Sequence, residues 1–325
     1  METLINLLNN KKIVITGASG YIGFSLYNEL KKLSKNIIPT TRDKNLLKLD
    51  KNFKKAQYNK NSFWHDLIDY ADIIYHLSAD TSLDESKKDL KKNYRNNILP
   101  VNIFINEALK KKKNINFIFT SSVTVCGLST NKIITEKIKP IPCTIYDKNK
   151  LINENNLINI SKKENYINST IMRLSNVYGY SISNSSNKKR GFLNQVMYNA
   201  LRGNDIYIYG NGKFYRDYIH INDVISALKR VTFEKKCKSN IYNIATGKSF
   251  YLIDVVKKII TEAYKITNKK SKIKIIPFPK NIKEIEKRNY RISSNKINKL
   301  NWKPEFSIKK GIQNSLNKFY INGKY

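Results

Sequence analysis

Cysteine is scarce in this chain, with three among 325 residues, at Cys126, Cys143 and Cys237. An odd number, widely separated and without paired spacing, supports neither a disulfide framework nor a zinc site. No metal is therefore expected, and the cytoplasm is the natural compartment. Long apolar runs are lacking too. None approaches the roughly 20 residues that cross a bilayer, so no membrane partner is expected. The opening METLINLLNNKK carries Glu2, has no cleavage-like ending and reads as a short surface helix. Acidic residues are few, 25 against 60 lysines and arginines, for a formal net charge of +35. Such an excess points to nucleic acid where it forms one face. Here lysine is spread through most helical and loop segments among abundant Asn and Ile, and Lys110 to Lys113 read as a solvated helix end. No specific nucleic-acid partner is expected. A hydrophobic content of 41% with 11% aromatics is enough for a core, and the length allows one large or two modest domains.

The chain is organised around Lys12 to Gly23, KIVITGASGYIG. Ile13, Val14 and Ile15 suit a strand buried on both faces, while Phe24, Leu26, Leu30 and Leu33 recur at helical spacing beyond the glycines. Gly17, Gly20 and Gly23 sit between them, where backbone must bend sharply, approach a pyrophosphate and pack a helix on a sheet. The stretch TGASGYIG resembles the cofactor turn of the extended short-chain dehydrogenase/reductase family, in its nucleotide-sugar epimerase/dehydratase branch. That resemblance implies NAD or NADP held by Gly17, Ser19, Gly20, Tyr21, Ile22 and Gly23.

A second strand, NIIPT over 36–40, ends before Thr41, Arg42 and Asp43. An acidic residue at that strand end suits the ribose hydroxyls of NAD, whereas arginine pairs with the extra phosphate of NADP, so Arg42 inclines the reading to NADP. In place of the family's acidic contact to adenine, the stretch AQYNKNSF offers Tyr58 and Asn59. The strand ADIIYHLSA over 71–79 ends in residues resembling the family's HLAA, which implies Leu77, Ser78 and Ala79 beside the cofactor and a structural role for His76. A helical segment from Asp84 to Asn106 contains Asn97, where the family keeps an asparagine that orders the active-site backbone.

NFIFTSSVTVCG over 116–127 resembles the family's FxxSSxxVYG, with Ser122 as the active-site hydroxyl, Ser121 beside the cofactor, Thr124 toward the substrate and Cys126 replacing the usual tyrosine. Tyr146 and Lys150 stand four apart, on one helical face, and match the family's YxxxK. Tyr27 with Lys31, Tyr209 with Lys213 and Tyr320 with Lys324 share the spacing, but only Tyr146 opens the helix that follows this strand and loop. A phenol with a reference pKa near 10 is a poor base at neutral pH, and a nearby ammonium stabilises its anion.

STIMRLSNVYG over 169–179 resembles RxxNVYG and contributes Asn176 to substrate binding. The polar run from Ser181 to Arg190 reads as a loop at the substrate mouth and Gly191-Phe192-Leu193 as the start of a helix reaching Arg202, while Ile206 to Gly210 with Asn211 and Gly212 resembles the family's hairpin over the nucleotide. In RDYIHINDV the resemblance gives Arg216 to the sugar-nucleotide diphosphate, makes His220 structural and leaves Asp223 as a helix cap. Asn240 to Gly247 reads as a strand and Leu252 to Tyr264 as an amphipathic helix. Arg288 and Arg291, ahead of a KINKLNWKPEFSIKKGIQ ending in which Trp302 and Pro304 pack, are candidates for a second phosphate contact.

The resemblance runs from Lys12 to about Tyr320. It implies an α/β fold: a doubly wound parallel sheet of Rossmann type over residues 1–178, and a smaller α+β substrate domain over 179–325, with about 216–247 returning to the main sheet. It also implies a homodimer through helices near Val101–Lys110 and Lys150–Lys162, whose apolar faces at Ile103, Leu109, Leu151 and Leu157 serve equally as subunit contact or as ordinary core. The expected substrate is a nucleoside-diphosphate sugar. Tyr146 takes the proton of a sugar hydroxyl, Ser122 hydrogen-bonds the same oxygen, and hydride passes between that carbon and the nicotinamide. A 4-epimerase and an NADPH-dependent 4-ketoreductase both use this site. A 4,6-dehydratase carries an Asp-Glu pair after the hydroxyl, where this chain has Val123 and Thr124. A cofactor-binding protein without turnover is opposed by the intact Ser122, Tyr146 and Lys150.

Overall fold

Ile13, Val14 and Ile15 are fully buried, as strand residues covered by helices on both faces must be. The computed structural model describes residues 10–81, 89–127, 133–181, 191–234, 237–278, 289 and 291–323. In it, Ile13–Thr16 lies within a seven-stranded sheet. From edge to edge the strands are Asn240–Ile244, Ile167–Leu174, Ile115–Ser122, Ile73–His76, Ile13–Thr16, Ile37–Thr41 and Lys54–Lys55. The first five along the chain pair in parallel. The chain builds outward from Ile13–Thr16 to one edge, then resumes at Ile73–His76 and builds toward the other. In a doubly wound sheet the boundary between two such halves opens a crevice at the carboxyl ends of its strands, where ligands bind.

The apolar faces of the helices explain their places. Asn61–Tyr70 contributes Phe63, Trp64 and Leu67, and Leu99–Lys111 contributes Val101, Phe104 and Ala108, to one core with Phe117 and Ile171. Phe104 and Phe117 stack with ring centroids 3.9 Å apart. Of the two roles open to Ile103 and Leu157, subunit contact or core, the structure gives them the core, at 7% and 0% exposure, and Leu109 packs against it. The helix expected over 84–106 is interrupted: Leu90–Asn97 and Leu99–Lys111 meet at Ile98. Pro100 has no N–H for a preceding carbonyl, so it fits only the first turn of a helix.

Two compact units divide the chain. The first takes residues 1–127, 140–173 and 228–242, and the second takes 128–139, 174–227 and 243–325. Of the segment expected to return to the main sheet, Asn240–Ile244 does so, while Tyr215–His220 forms the middle of a three-stranded sheet, antiparallel to Ser249–Tyr251 and parallel to Asn176–Tyr178. The second unit has its own core, with Leu193, Met197, Val256, Ile259, Leu316 and Phe319. Ile206–Tyr209 is not part of a hairpin. It pairs in parallel with Ile273–Ile276, and the helix Leu252–Thr267 lies between them in the chain, as parallel strands require a crossover.

Asp223 is likewise placed differently from expectation. It is inside the first turn of Ile221–Phe233, and its carboxylate accepts the backbone N–H of Glu305 at 2.8 Å and of Phe306 at 3.2 Å, so it secures the approach to the last helix. Burial raises its pKa to about 6 against those two bonds. His220 is structural: it stacks on Phe306 at 4.1 Å, contacts Ser315 Oγ through Nε2 at 3.2 Å, and burial lowers its pKa to about 3. Trp302 packs with 5% exposure and donates from Nε1 to Ser226 Oγ.

Candidate active site

The turn after the first strand is shaped by two glycines. Gly17 has φ +68°, and a Cβ there would lie 2.9 Å from the Ser78 backbone, so the turn rests directly on the end of the neighbouring strand. At Gly23 a Cβ would lie 2.2 Å from the Gly17 carbonyl oxygen, which lets the helix Tyr21–Leu30 pack onto its own entry turn. That helix amino terminus, with Ser19, Gly20, Tyr21 and Ile22, is therefore held at the crevice, its first-turn N–H groups suited to an anion. Leu77, Ser78 and Ala79 leave the adjacent strand half-buried against it.

Tyr58 supports this turn from beneath. Its hydroxyl accepts the Gly17 N–H at 2.8 Å and lies 2.8 Å from Thr40 Oγ1, with the side chain only 7% exposed and its pKa raised chiefly by burial. The residue standing where the family keeps an acidic adenine contact thus serves the phosphate turn. Arg42 is exposed after the second strand, and its guanidinium donates to Asn96 Oδ1 at 3.3 Å. Asp43 beside it is spent on capping Lys44–Leu49, accepting from Asn45 and Leu46 N–H.

Asn97 holds the backbone of Asp80: Oδ1 accepts the Asp80 N–H at 2.8 Å and Nδ2 donates to the Asp80 carbonyl at 3.2 Å. It joins Ser78, Ala79, Phe119, Tyr146, Asn149, Lys150 and Asn153 around a narrow cleft. Tyr146 and Lys150 reach this cleft because Thr144 and Asp147 form a capping box that starts the helix Ile145–Lys163 one residue before Tyr146. Lys150 is 5% exposed, and Nζ donates to the Thr120 carbonyl at 2.7 Å while lying 4.5 Å from the Phe119 ring centroid and 5.8 Å from that of Tyr146. Desolvation lowers its pKa to about 8, with Glu154 opposing.

Ser122 ends the strand Ile115–Ser122 and caps the short turn Val123–Cys126, accepting the Thr124 N–H at 3.2 Å. Thr124 Oγ1 lies 2.8 Å from Ser122 Oγ and also contacts Asp147 Oδ1. Among the described residues Ser121 Oγ, which is buried, has no hydrogen-bond partner. Cys126 is buried and takes a contact from the Arg173 guanidinium at 3.8 Å, so its substitution for tyrosine is a matter of packing. His76 is a core group here: Phe117 and Phe119 flank its ring, Thr16 Oγ1 contacts Nδ1, and burial lowers its pKa to about 3.

The remaining candidates belong to the second unit. Asn176 Nδ2 donates to the Asp217 carbonyl at 2.9 Å. Arg216 leans over the Phe214 ring at 5.3 Å, and Arg291 over that of Tyr215 at 5.1 Å. Arg288 and the run 182–190 lie outside the described residues. Sequence reasoning missed Asp217, which is fully buried and accepts from Ser175 Oγ, Thr246 N–H and Thr246 Oγ1. Those bonds pull its pKa down, and desolvation outweighs them, so the net shift is upward. Its place beside Arg216 was visible in the sequence, but its partners were not.

Among the described residues no group of three or more His, Cys, Asp or Glu could hold a metal, and no helix is long and apolar enough to cross a membrane. A sequence model of the NAD dependent epimerase/dehydratase family matches residues 13–245. An ADP-L-glycero-D-manno-heptose-6-epimerase from Brachyspira hyodysenteriae is 29% identical over 289 residues, covering 82% of this chain and 84% of that protein. A dTDP-D-glucose 4,6-dehydratase from Dictyostelium discoideum is 30% identical over 287 residues, covering 78% of this chain and 64% of that protein. The crystal structure of a UDP-glucose 4-epimerase from Thermotoga maritima, with UDP-glucose, has the same fold at a TM-score of 0.83 and 21% identity, covering 96% and 99% of the two chains.

Proposed function

Because the chain belongs to the NAD dependent epimerase/dehydratase family, we propose that it is a nucleoside-diphosphate-sugar 4-epimerase working through a 4-keto sugar. The described residues fit a nicotinamide dinucleotide: a side chain at Gly17 or Gly23 would fill the turn that cradles its phosphates, and Asn97, Tyr146 and Lys150 line the adjoining cleft. When bound, that group accepts hydride from a sugar carbon and returns it.

The chain's own residues manage the proton. Tyr146 takes it from the sugar hydroxyl as the carbon is oxidised and gives it back on reduction, while Ser122 hydrogen-bonds the same oxygen. The Lys150 ammonium, close to the Tyr146 ring, favours the phenolate. Arg216 and Arg291, with Arg288, are offered to the diphosphate, and Asn176 and Thr124 to the sugar.

The observation that carries epimerisation over dehydration is the pair of positions after Ser122. Val123 is apolar and 1% exposed, and the Thr124 hydroxyl is engaged with Ser122 and Asp147, so neither supplies the acid and base that eliminate water. A second reading, an NADPH-dependent 4-ketoreductase, is favoured by the exposed guanidinium of Arg42 after the second strand.

Mass spectrometry of the nucleotide released on denaturing the purified protein separates the two. Stoichiometric retained NAD, followed by 4-inversion of added UDP-, dTDP- or GDP-sugars, is the expected result. An empty protein that binds NADPH and reduces 4-keto sugars would establish the reductase instead.

A further inference from the structure

An ammonium withdrawn from water needs other groups to replace its hydration. Lys150, 5% exposed, sends one of its three N–H donors to the Thr120 carbonyl at 2.7 Å. Its second partner is a ring. Nζ lies 4.5 Å from the centroid of Phe119, inside the roughly 6 Å over which the negative face of an aromatic attracts a cation. The Tyr146 ring, at 5.8 Å, is close to the limit of that range.

Phe119 is held firmly. It is 1% exposed within Ile115–Ser122, and its ring stacks on that of His76, the residue opposite it on the neighbouring strand, at 5.9 Å and 13°. His76 in turn stacks on Phe117 at 5.4 Å, and Phe117 on Phe104 at 3.9 Å. The column that ends at Lys150 carries no charge of its own, because burial, with the Lys150 ammonium adding to it, keeps the imidazole neutral with a pKa of about 3. Glu154 also attracts Lys150 from one turn along the helix, but its carboxylate is already taken by Arg173 Nε and Nη2 from Ile167–Leu174.

We propose that Phe119 is a positioning residue, whose ring, braced by His76, seats the Lys150 ammonium beside Tyr146 and stands in for the water that burial removes. The proposal rests on the reading above, in which the charge of Lys150 favours the Tyr146 anion. A neutral ring suits that task better than a carboxylate. An anion against Lys150 would hold it more strongly and would also cancel its field at Tyr146, whereas a quadrupole holds the cation and leaves its charge to be felt.

Phenylalanines bearing one, two and three ring fluorines, placed at position 119, weaken the π face in steps with little change of shape. The readout is the titration midpoint of Lys150 in the protein without sugar, followed by NMR of labelled lysine side chains and assigned by the signal lost in Lys150→Arg. The π face favours the charged form, so weakening it lowers the midpoint. A fall with each fluorine, about half to one pH unit over the series, is expected. The same fluorines at Phe104, at the far end of the column, should leave the midpoint in place.

A merely structural role for Phe119 would lower the melting temperature and leave the Lys150 midpoint unchanged, which would overturn the proposal. The alkaline limb of kcat/KM is expected to move down in pH together with the midpoint. A limb that stays while the midpoint falls would separate the seat from catalysis and overturn the positioning role. If UDP-, dTDP- and GDP-sugars alike fail to turn over while the midpoint still falls with fluorine, the functional reading is overturned and the seat for Lys150 stands.

Discussion

At the scale of single residues, the site is a set of groups whose chemistry is fixed by what they touch. Tyr146→Phe should lower turnover by about a hundred- to ten-thousandfold and leave dinucleotide binding nearly unchanged. Equal losses in both, measured by steady-state kinetics and fluorescence titration, would move Tyr146 from proton transfer to binding. In the proposed mechanism Lys150 can stabilise the Tyr146 anion only while protonated. Because burial lowers its pKa to about 8, its charge is present below that pH and is lost as pH rises through it. The pH profile of kcat/KM is therefore expected to fall on the alkaline side near 8, and an unaltered alkaline limb in Lys150→Arg would assign it to another group. Tyr58→Phe removes the acceptor of the Gly17 N–H. A loss of about 1–3 kcal/mol in urea unfolding is expected, with weaker dinucleotide binding, since a buried donor is left unsatisfied. The strand-end place of Ser122 and the shared helix of Tyr146 and Lys150 were legible in the sequence because strand ends and helical spacing are local. Tyr58, Asp147 and Asp217 were not, because each acts on a partner elsewhere in the chain, such as Gly17 for Tyr58 and Thr246 for Asp217.

At the scale of elements, the helix Ile145–Lys163 is anchored at its start by the capping box and in its middle by Glu154, whose carboxylate takes Arg173 Nε and Nη2 from the adjacent strand. The pair is 1% and 2% exposed, so removing one partner strands a buried charge. Glu154→Ala should cost about 3–5 kcal/mol, whereas replacing both with Leu and Met should be close to neutral. Chemical denaturation of the single and double variants distinguishes a stabilising pair from a merely tolerated one. Gly23→Ala drives a methyl against the Gly17 carbonyl, and dinucleotide binding should be lost even where the fold survives. The strands could be anticipated from apolar runs, and the phosphate turn from its glycines. The division of the helix at Ile98 follows from Pro100, which the periodicity of the segment concealed. Whether Ile206–Tyr209 pairs with its neighbour or with Ile273–Ile276 depends on a partner beyond the reach of local pattern.

For the whole molecule, the formal charge of +35 sets how it meets anions. Association with a nucleoside-diphosphate sugar should slow as salt rises, so kcat/KM should fall with ionic strength more than kcat. A kcat/KM indifferent to salt would show that the lysines are too dispersed to steer. Any retention of duplex DNA should be sequence-blind and vanish toward physiological salt. A homodimer remains a proposal for sedimentation analysis, and with Ile103 and Leu157 taken by the core, its contact would rest on exposed residues such as Ile152, 42% exposed.

The first compact unit is assembled from three separate stretches, the last of them reaching residue 242, and its sheet is closed by Asn240–Ile244 beside Ile167–Leu174. During synthesis the ribosome must therefore deliver much of the second unit before the first can finish folding. Until then Ile167–Leu174 presents a bare edge, open to pairing with another nascent chain. A fragment truncated at residue 178 would stay in that state permanently. Its aggregation, and rescue by co-expressing the remainder, are the behaviour to look for.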